Sequence, residues 1–190
     1  MSSQNPALDL PHDVVINRVP LWLAVAVTVV LSLPFGLWLG KFNFALWCSF
    51  IVWAEYFALG AKLQVVPMIL ESFGYAAVIT GVSLAIIPVF SFVPSLLTPG
   101  DLGIAAALFI GVGFMVHSMS WSHAFQEGSL PFFNGISMAL GIYFTNSFPH
   151  FGPDAFLPIV AAIWTVAMAV FGILLGIITV YAQLPAKRRA

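Results

Sequence analysis

The sequence predicts an all-α fold, a polytopic bundle of transmembrane helices, from its composition and from the length of its apolar runs. Of the 190 residues, 61% are hydrophobic and only 7% are charged, whereas a soluble surface needs roughly a quarter to a third of its residues charged. Apolar runs of about 20 residues, enough to cross a hydrocarbon core of ~30 Å, recur along nearly the whole chain. Because these runs show no period-two alternation, they favour helices over the strands of a closed barrel.

Six membrane spans are predicted, separated by turns that are rich in Pro, Gly and polar residues. They cover residues 19–40, 42–60, 73–93, 101–120, 131–147 and 154–182. Asp101 is placed to cap the fourth helix, and residues 121–131 are predicted to form a polar loop. Residues 61–72 could be interfacial, re-entrant or a tilted extension of the third helix.

The chain divides into a polar N-terminal segment (1–18), a transmembrane helical domain (19–183) and a basic tail (184–190). The first apolar run is too long for a secretory signal and lacks its cleavage pattern, so we expect a retained span. Six spans put both termini on one side, together with most of the basic residues: Arg18, Lys62, Lys187, Arg188 and Arg189. Since basic residues are enriched in cytoplasmic segments, we expect a multi-pass protein of the inner (cytoplasmic) membrane with both termini cytoplasmic.

The charge balance and the missing motifs exclude several classes of function. Six Lys and Arg against seven Asp and Glu give a net charge of −1, so the chain lacks the excess of basic residues that nucleic-acid binding needs. The single cysteine, Cys48, allows neither an intrachain disulfide nor a cysteine-based metal site. Motifs for nucleophilic catalysis and for phosphate binding are absent from the sequence. We therefore expect neither an enzyme nor a bound cofactor.

A repeat of three spans is one interpretation of two short matches. Tyr56-Phe57 near the end of the second span recurs as Tyr143-Phe144 near the end of the fifth, which is compatible with a 3+3 inverted repeat. An equally short match between Phe50-Ile51 and Phe109-Ile110 would instead imply parallel repeats. Pairs of small residues four positions apart could allow close packing within the chain or form a homo-oligomer interface. These pairs are Gly36 and Gly40, Ala54 and Ala58, and Gly172 and Gly176.

Glu55 is the strongest candidate for a functional residue, because an ionisable group in the hydrocarbon layer costs at least ~2.5 kcal/mol and usually faces a cavity or a partner. Trp53 and Tyr56 lie beside it and could form an aromatic constriction. The alternative is a structural carboxylate that reaches the cytoplasmic surface or pairs with Lys62. If residues 61–72 fold back into the protein, Glu71 could share an aqueous vestibule with Glu55 and exchange protons with it; otherwise Glu71 is a solvated residue at a helix N-terminus.

Further polar candidates lie in or near the fourth and fifth spans. Asn134 and Asn146 are the amides of the fifth span, and a buried amide needs a hydrogen-bond partner from a helix, a water or a solute. Alternatively, Asn134 could simply cap or begin the first turn of the fifth helix. His117 and Tyr143 are possible gates. Because His117 and His123 do not share one helical face, we expect no metal site.

The stretch from Phe50 to Gly60, followed by Leu70 to Gly74, resembles the YcdZ-like small inner-membrane proteins of bacteria. These share an aromatic and small-residue second span that ends in a Tyr-Phe-Ala-type signature and leads into a Gly-containing turn. The resemblance covers roughly residues 46–180 and implies an inner-membrane location. The family is a domain of unknown function, so it implies no site. The chain departs from it in its longer polar N-terminus and in Glu55.

Taken together, the residues predict a channel or transporter for a small neutral or weakly polar solute, with proton linkage through Glu55 as part of the hypothesis. The few charges available for lining a pore disfavour an ion-selective channel. Expected partners are membrane lipids, the solute and further copies of the chain in a homo-oligomer. The alternative is a non-transporting scaffold or regulatory subunit of a larger complex, in which Glu55 would be replaceable by Gln.

Overall fold

Helices make up most of the part of the chain that the computed structural model describes, residues 13–189. The predicted all-α class is confirmed. The helices are α1 Leu21–Trp38, α2 Leu46–Ala58, α3 Val66–Ala85, α4 Asp101–Ser118, α5 His123–Glu127, α6 Ser129–Phe144 and α7 Leu157–Ala182. Two short strands, β1 Asp13–Asn17 and β2 Pro185–Arg189, pair next to the bundle. Residues 1–12 of the predicted N-terminal segment and residue 190 of the predicted tail lie outside the described residues.

In the part of the chain that the structure describes, four helical segments are long and apolar enough to cross a membrane, which indicates a membrane protein. They are Leu21–Trp38, Leu63–Ala85, Asp101–Trp121 and Asp154–Ala182. The other two apolar helices, α2 and α6, have only 13 and 16 residues. At a rise of 1.5 Å per residue they are about 20 and 24 Å long. Six crossings therefore remain a prediction.

The third helix begins earlier than the sequence predicts. It starts at Val66 instead of residue 73 and ends at Ala85 instead of residue 93. Pro67 lies in its first turn, where proline is tolerated because the N–H it lacks would have no acceptor within the helix. Most of residues 61–72 thus belong to α3, in agreement with the helical-extension alternative. The predicted polar loop at 121–131 is also wrong in part, because it contains α5 and the start of α6.

The centre of the bundle is formed by α3 and α7, each with one closely packed neighbour. Helix α6 packs along α3 and helix α2 packs along α7, while α1 and α4 lie outside on α7 and α3. Glycines allow the close approaches: Gly135 of α6 lies against the Phe73 carbonyl of α3, and Gly172 of α7 lies against the Ser49 carbonyl of α2. The pair Gly172 and Gly176 is therefore used for packing within the chain.

The order of elements in residues 21–85 resembles that in residues 101–182. Each begins with an 18-residue helix and a three-residue 3-10 helix, and each ends in a long helix with proline as its second residue. The shorter middle helices, α2 and α6, both end in a Schellman motif, in which Gly60 and Asn146 have positive φ of 94° and 59°. This alignment puts Phe57 opposite Tyr143, so the two Tyr-Phe pairs are one residue out of register.

Hydrogen bonds between turns define the two ends of the bundle. At the first, which we call the terminal end, β1 pairs with β2, and the Asn17 side chain donates to Gln183 Oε1 at 2.8 Å. We call the opposite end of the bundle the far end. There, the Asn43 side chain in the α1–α2 turn donates to the carbonyls of Asn146 and Phe148 in the α6–α7 turn. The described parts of both termini thus lie at the same end.

Candidate functional site

A buried carboxylate lies where α2 contacts α6. Glu55 is only 3% exposed, and Asn134 Nδ2 donates a hydrogen bond to its Oε2 atom at 3.3 Å. The other oxygen, Oε1, is buried and has no hydrogen-bond partner among the described residues. Leaving a buried polar atom unpaired costs about 1–3 kcal/mol. Glu55 therefore holds an acceptor atom inside the bundle that a donor could satisfy.

The inner face of α2 explains why Glu55 points into the bundle. Cys48, Val52 and Glu55 recur at helical spacing, and all three are buried. Lys62 lies beyond the end of the helix and is exposed. Among the described side chains, residues 17–185, the contact within salt-bridge distance is that of His123 and Glu127, with Nδ1 and Oε2 3.4 Å apart. Of the alternatives considered for Glu55, neither pairing with Lys62 nor reaching the surface is observed.

The two aromatic neighbours of Glu55 contact α7. Tyr56 is 1% exposed, and its ring lies against Gly176, as does the indole of Trp53. Both side chains therefore hold α2 on α7 and help to orient Glu55 towards α6. These contacts make them packing residues at this site, whereas Asn134 is the predicted residue that the fold brings to Glu55 directly.

Glu71 does not share a vestibule with Glu55. It is exposed near the start of α3 and accepts a hydrogen bond from Ser122 Oγ at 3.1 Å. The hydrogen bonds of the two carboxylates thus go to different elements, one to α6 and the other to the residue before α5. The alternative of a solvated Glu71 is correct in its exposure, but Glu71 is the sixth residue of α3 and lies beyond the first turn.

The two possible gates lie at opposite ends of the bundle. His117 is exposed near the terminal end of α4, where its ring meets Trp121 edge to face with the centroids 6.1 Å apart. Tyr143 is half-buried at the far end and stacks on Phe148. Among the described residues, no group of three or more His, Cys, Asp or Glu is placed to hold a metal ion.

A polar pocket at the far end contains a residue that sequence reasoning missed. The pocket has a volume of about 320 Å³ and lies between the α1–α2 turn and the end of α6. Its polar side chains are those of Asn43, Trp47, Thr145, Asn146 and Ser147. Asn43 was missed, although asparagine between two apolar runs is typical of a left-handed turn residue, which it is here with φ 54°.

No protein-family model, curated protein or solved structure matches the chain. The resemblance to the YcdZ-like proteins is thus untested and stays a prediction. The function has to be inferred from the geometry of the site.

Proposed function

We propose that the protein is a membrane channel or transporter for a small neutral or weakly polar solute, which binds at Glu55 and Asn134. The observation that carries this proposal is the buried, half-paired carboxylate between α2 and α6. The two helices α2 and α6 are both shorter than the four segments that are long enough to cross a membrane. In transporters built from repeats, unusually short segments at corresponding positions of the two halves mark the binding site.

The proposal includes an inverted repeat that relates α1–α3 to α4, α6 and α7. It is supported by the matching order of elements and by the matching caps of α2 and α6. Three crossings per half is an odd number, so the second half would run through the membrane in the opposite sense. The contacts α3–α7 and α2–α6 would then lie on the symmetry axis, because each joins an element to its counterpart. Glu55 and Asn134 belong to the second of these contacts.

The chemistry of the pair suits a solute that carries N–H or O–H groups. Glu55 Oε1 can accept a hydrogen bond, and the Asn134 amide has both a carbonyl oxygen and a second N–H to offer. A buried charge without full pairing is costly, so either a proton or a solute donor at Oε1 would stabilise the site. Because the two would compete for one oxygen, solute binding and proton binding would be linked.

We place the protein in the bacterial inner (cytoplasmic) membrane with the terminal end facing the cytoplasm. Arg18, Lys62 and the basic tail belong to the terminal end, while Lys41 lies in the turn at the far end. This distribution follows the enrichment of basic residues in cytoplasmic segments. We also propose a homo-oligomer in which the exposed small residues of α2, Ala54 and Ala58, face another copy.

The proposal is tested by solute flux into liposomes that contain the purified protein. Osmotic light scattering would follow glycerol, urea and acetamide, with Glu55→Gln as the test variant and Glu71→Gln as the matched control. Glutamine keeps the shape of Glu55 and can still accept from Asn134, so the variant should fold and elute like the wild type. We expect Glu55→Gln to abolish flux or uncouple it from protons, and Glu71→Gln to leave it unchanged because Glu71 is exposed.

Two outcomes would contradict the proposal. Flux through Glu55→Gln that equals the wild-type flux and responds in the same way to a pH gradient would remove the carboxylate from the mechanism. Wild-type flux no faster than that of protein-free liposomes would favour the scaffold alternative. Labelling of Glu55→Cys, in a Cys48→Ala background, by a membrane-impermeant thiol reagent separates the alternatives without any substrate. Reaction from either side supports a water-filled route to position 55, and no reaction from both sides supports a structural carboxylate.

A further inference from the structure

We infer that the polar pocket at the far end is the outer vestibule of the solute route and that it admits neutral solutes bearing amide or hydroxyl groups. The inference rests on the proposed function and names its second site. The pocket of about 320 Å³ corresponds to roughly ten water molecules at ~30 Å³ each. It is open to the outside and large enough for a small organic solute.

The vestibule and Glu55 lie on the same seam between α2 and α6. Trp47 in the pocket wall precedes Glu55 by eight residues on α2, and Gly141 follows Asn134 by seven residues on α6. At 1.5 Å per residue these separations are about 12 and 10 Å along the two helices. These positions in and next to the vestibule therefore lie about two helical turns from the level of Glu55 and Asn134.

The Trp47 ring of α2 reaches across to α6 beside the vestibule. A β-carbon at Gly141 would lie 3.3 Å from Trp47 Cη2, so the ring rests on the one residue of this part of α6 that has no side chain. Trp47 is 42% exposed. Since much of the ring is outside the packed core, it can swing away without repacking the bundle. The Trp47 ring therefore lies where a gate is needed and is free to move as a gate does.

The lining of the vestibule offers hydrogen bonds without charge. Thr145 Oγ1 and Ser147 Oγ share a hydrogen bond at 2.8 Å. Asn43 Nδ2 donates to two turn carbonyls, while its Oδ1 atom has no hydrogen-bond partner among residues 17–185. The Nζ atom of Lys41 lies over the ring of Phe42, 4.9 Å from its centroid, and does not line the pocket.

This set of groups matches an amide or an alcohol, which both donate and accept hydrogen bonds. A carboxylate or an ammonium ion finds no opposite charge among the lining residues to replace the water molecules that contact with them displaces, which is unfavourable. His150 is a titratable group in contact with this set, with Nε2 2.8 Å from Asn146 Oδ1. That contact leaves the Asn146 amide N–H groups available to a solute.

The test compares neutral with charged solutes and vestibule variants with a nearby control. Liposomes with the wild-type protein should take up acetamide and glycerol at least about tenfold faster than acetate or methylammonium. Asn146→Gly, which deletes the amide and tolerates the positive φ, should slow acetamide uptake about two- to tenfold, as for the loss of one hydrogen bond. Trp47→Ala should speed uptake, and Lys41→Gln should leave it unchanged.

The failures of the two proposals can be told apart. If Glu55→Gln stops acetamide uptake while Asn146→Gly and Trp47→Ala match the wild type, the route does not pass through this pocket and the proposed function stands. If acetate enters as fast as acetamide, selection for neutral solutes is refuted. If no solute enters faster than in protein-free liposomes, both proposals are overturned. Elution of each variant at the wild-type position excludes misfolding as the cause.

Discussion

Replacing Gly172 with alanine tests whether α2 is held on α7 by direct backbone contact. A β-carbon at Gly172 would meet the Ser49 carbonyl oxygen and would lie 3.1 Å from both the Ser49 carbonyl carbon and the Val52 Cβ atom. None of these atoms can be moved by a change of rotamer. The two helices would have to separate, and α2 would carry Glu55 with it.

The expected destabilisation follows from this overlap. Forcing an extra methyl group into a packed interface costs about 1–3 kcal/mol, and each kcal/mol lowers the melting temperature by about 2–4 °C for a chain of this length. Gly113 of α4 provides the matched control, because it is exposed and a β-carbon there would meet nothing within 4 Å. Alanine at such a position stabilises a helix by roughly 0.5–1 kcal/mol. The two variants should therefore shift stability in opposite directions.

Thermal unfolding of the purified protein in detergent, followed by tryptophan fluorescence, measures this difference. Gly172→Ala should melt several degrees below the wild type, and Gly113→Ala at or slightly above it. Under the proposed function, solute flux in liposomes should also fall in Gly172→Ala, because displacement of α2 disturbs the contact between Glu55 and Asn134. A melting temperature of Gly172→Ala equal to that of Gly113→Ala would refute the backbone contact as the feature that holds α2.

Three further predictions concern other contacts. The Asp101 carboxylate accepts hydrogen bonds from the amides at 96–98, so Asp101→Ala should speed deuterium exchange of these amides; unchanged exchange would contradict this role. Buried Thr179 donates to Thr28 at 3.1 Å and ties α1 to α7. A double-mutant cycle in which each threonine is replaced with valine should give a coupling energy of about 0.6 kcal/mol, and additive effects of the two substitutions would argue against the hydrogen bond. Cys48 is fully buried; it should react with thiol reagents only after denaturation, and rapid labelling of the native protein would disprove its burial.

Several features could be predicted from the sequence because they depend on composition and on local residue types. Helical structure follows from long apolar runs without alternation, and the end of the last helix at Ala182 agrees with the prediction. Glu55 stood out because a lone carboxylate in an apolar run needs an explanation. The start of α3 was placed too late, and its first turn contains Pro67, a residue type that a helix accepts there.

The tertiary structure alone decided which side chains meet. In a membrane protein both the lipid-facing and the core-facing sides of a helix are apolar, so the hydrophobic period does not tell which side turns inward. The rotation of α2 and α6 depends on close contacts such as that at Gly172, and these bring Glu55 to Asn134, 79 residues away in the chain. The pairing of Asn43 with the turn at Asn146, across 103 residues, has the same origin. Composition thus determined the kind of protein, and helix packing determined the site.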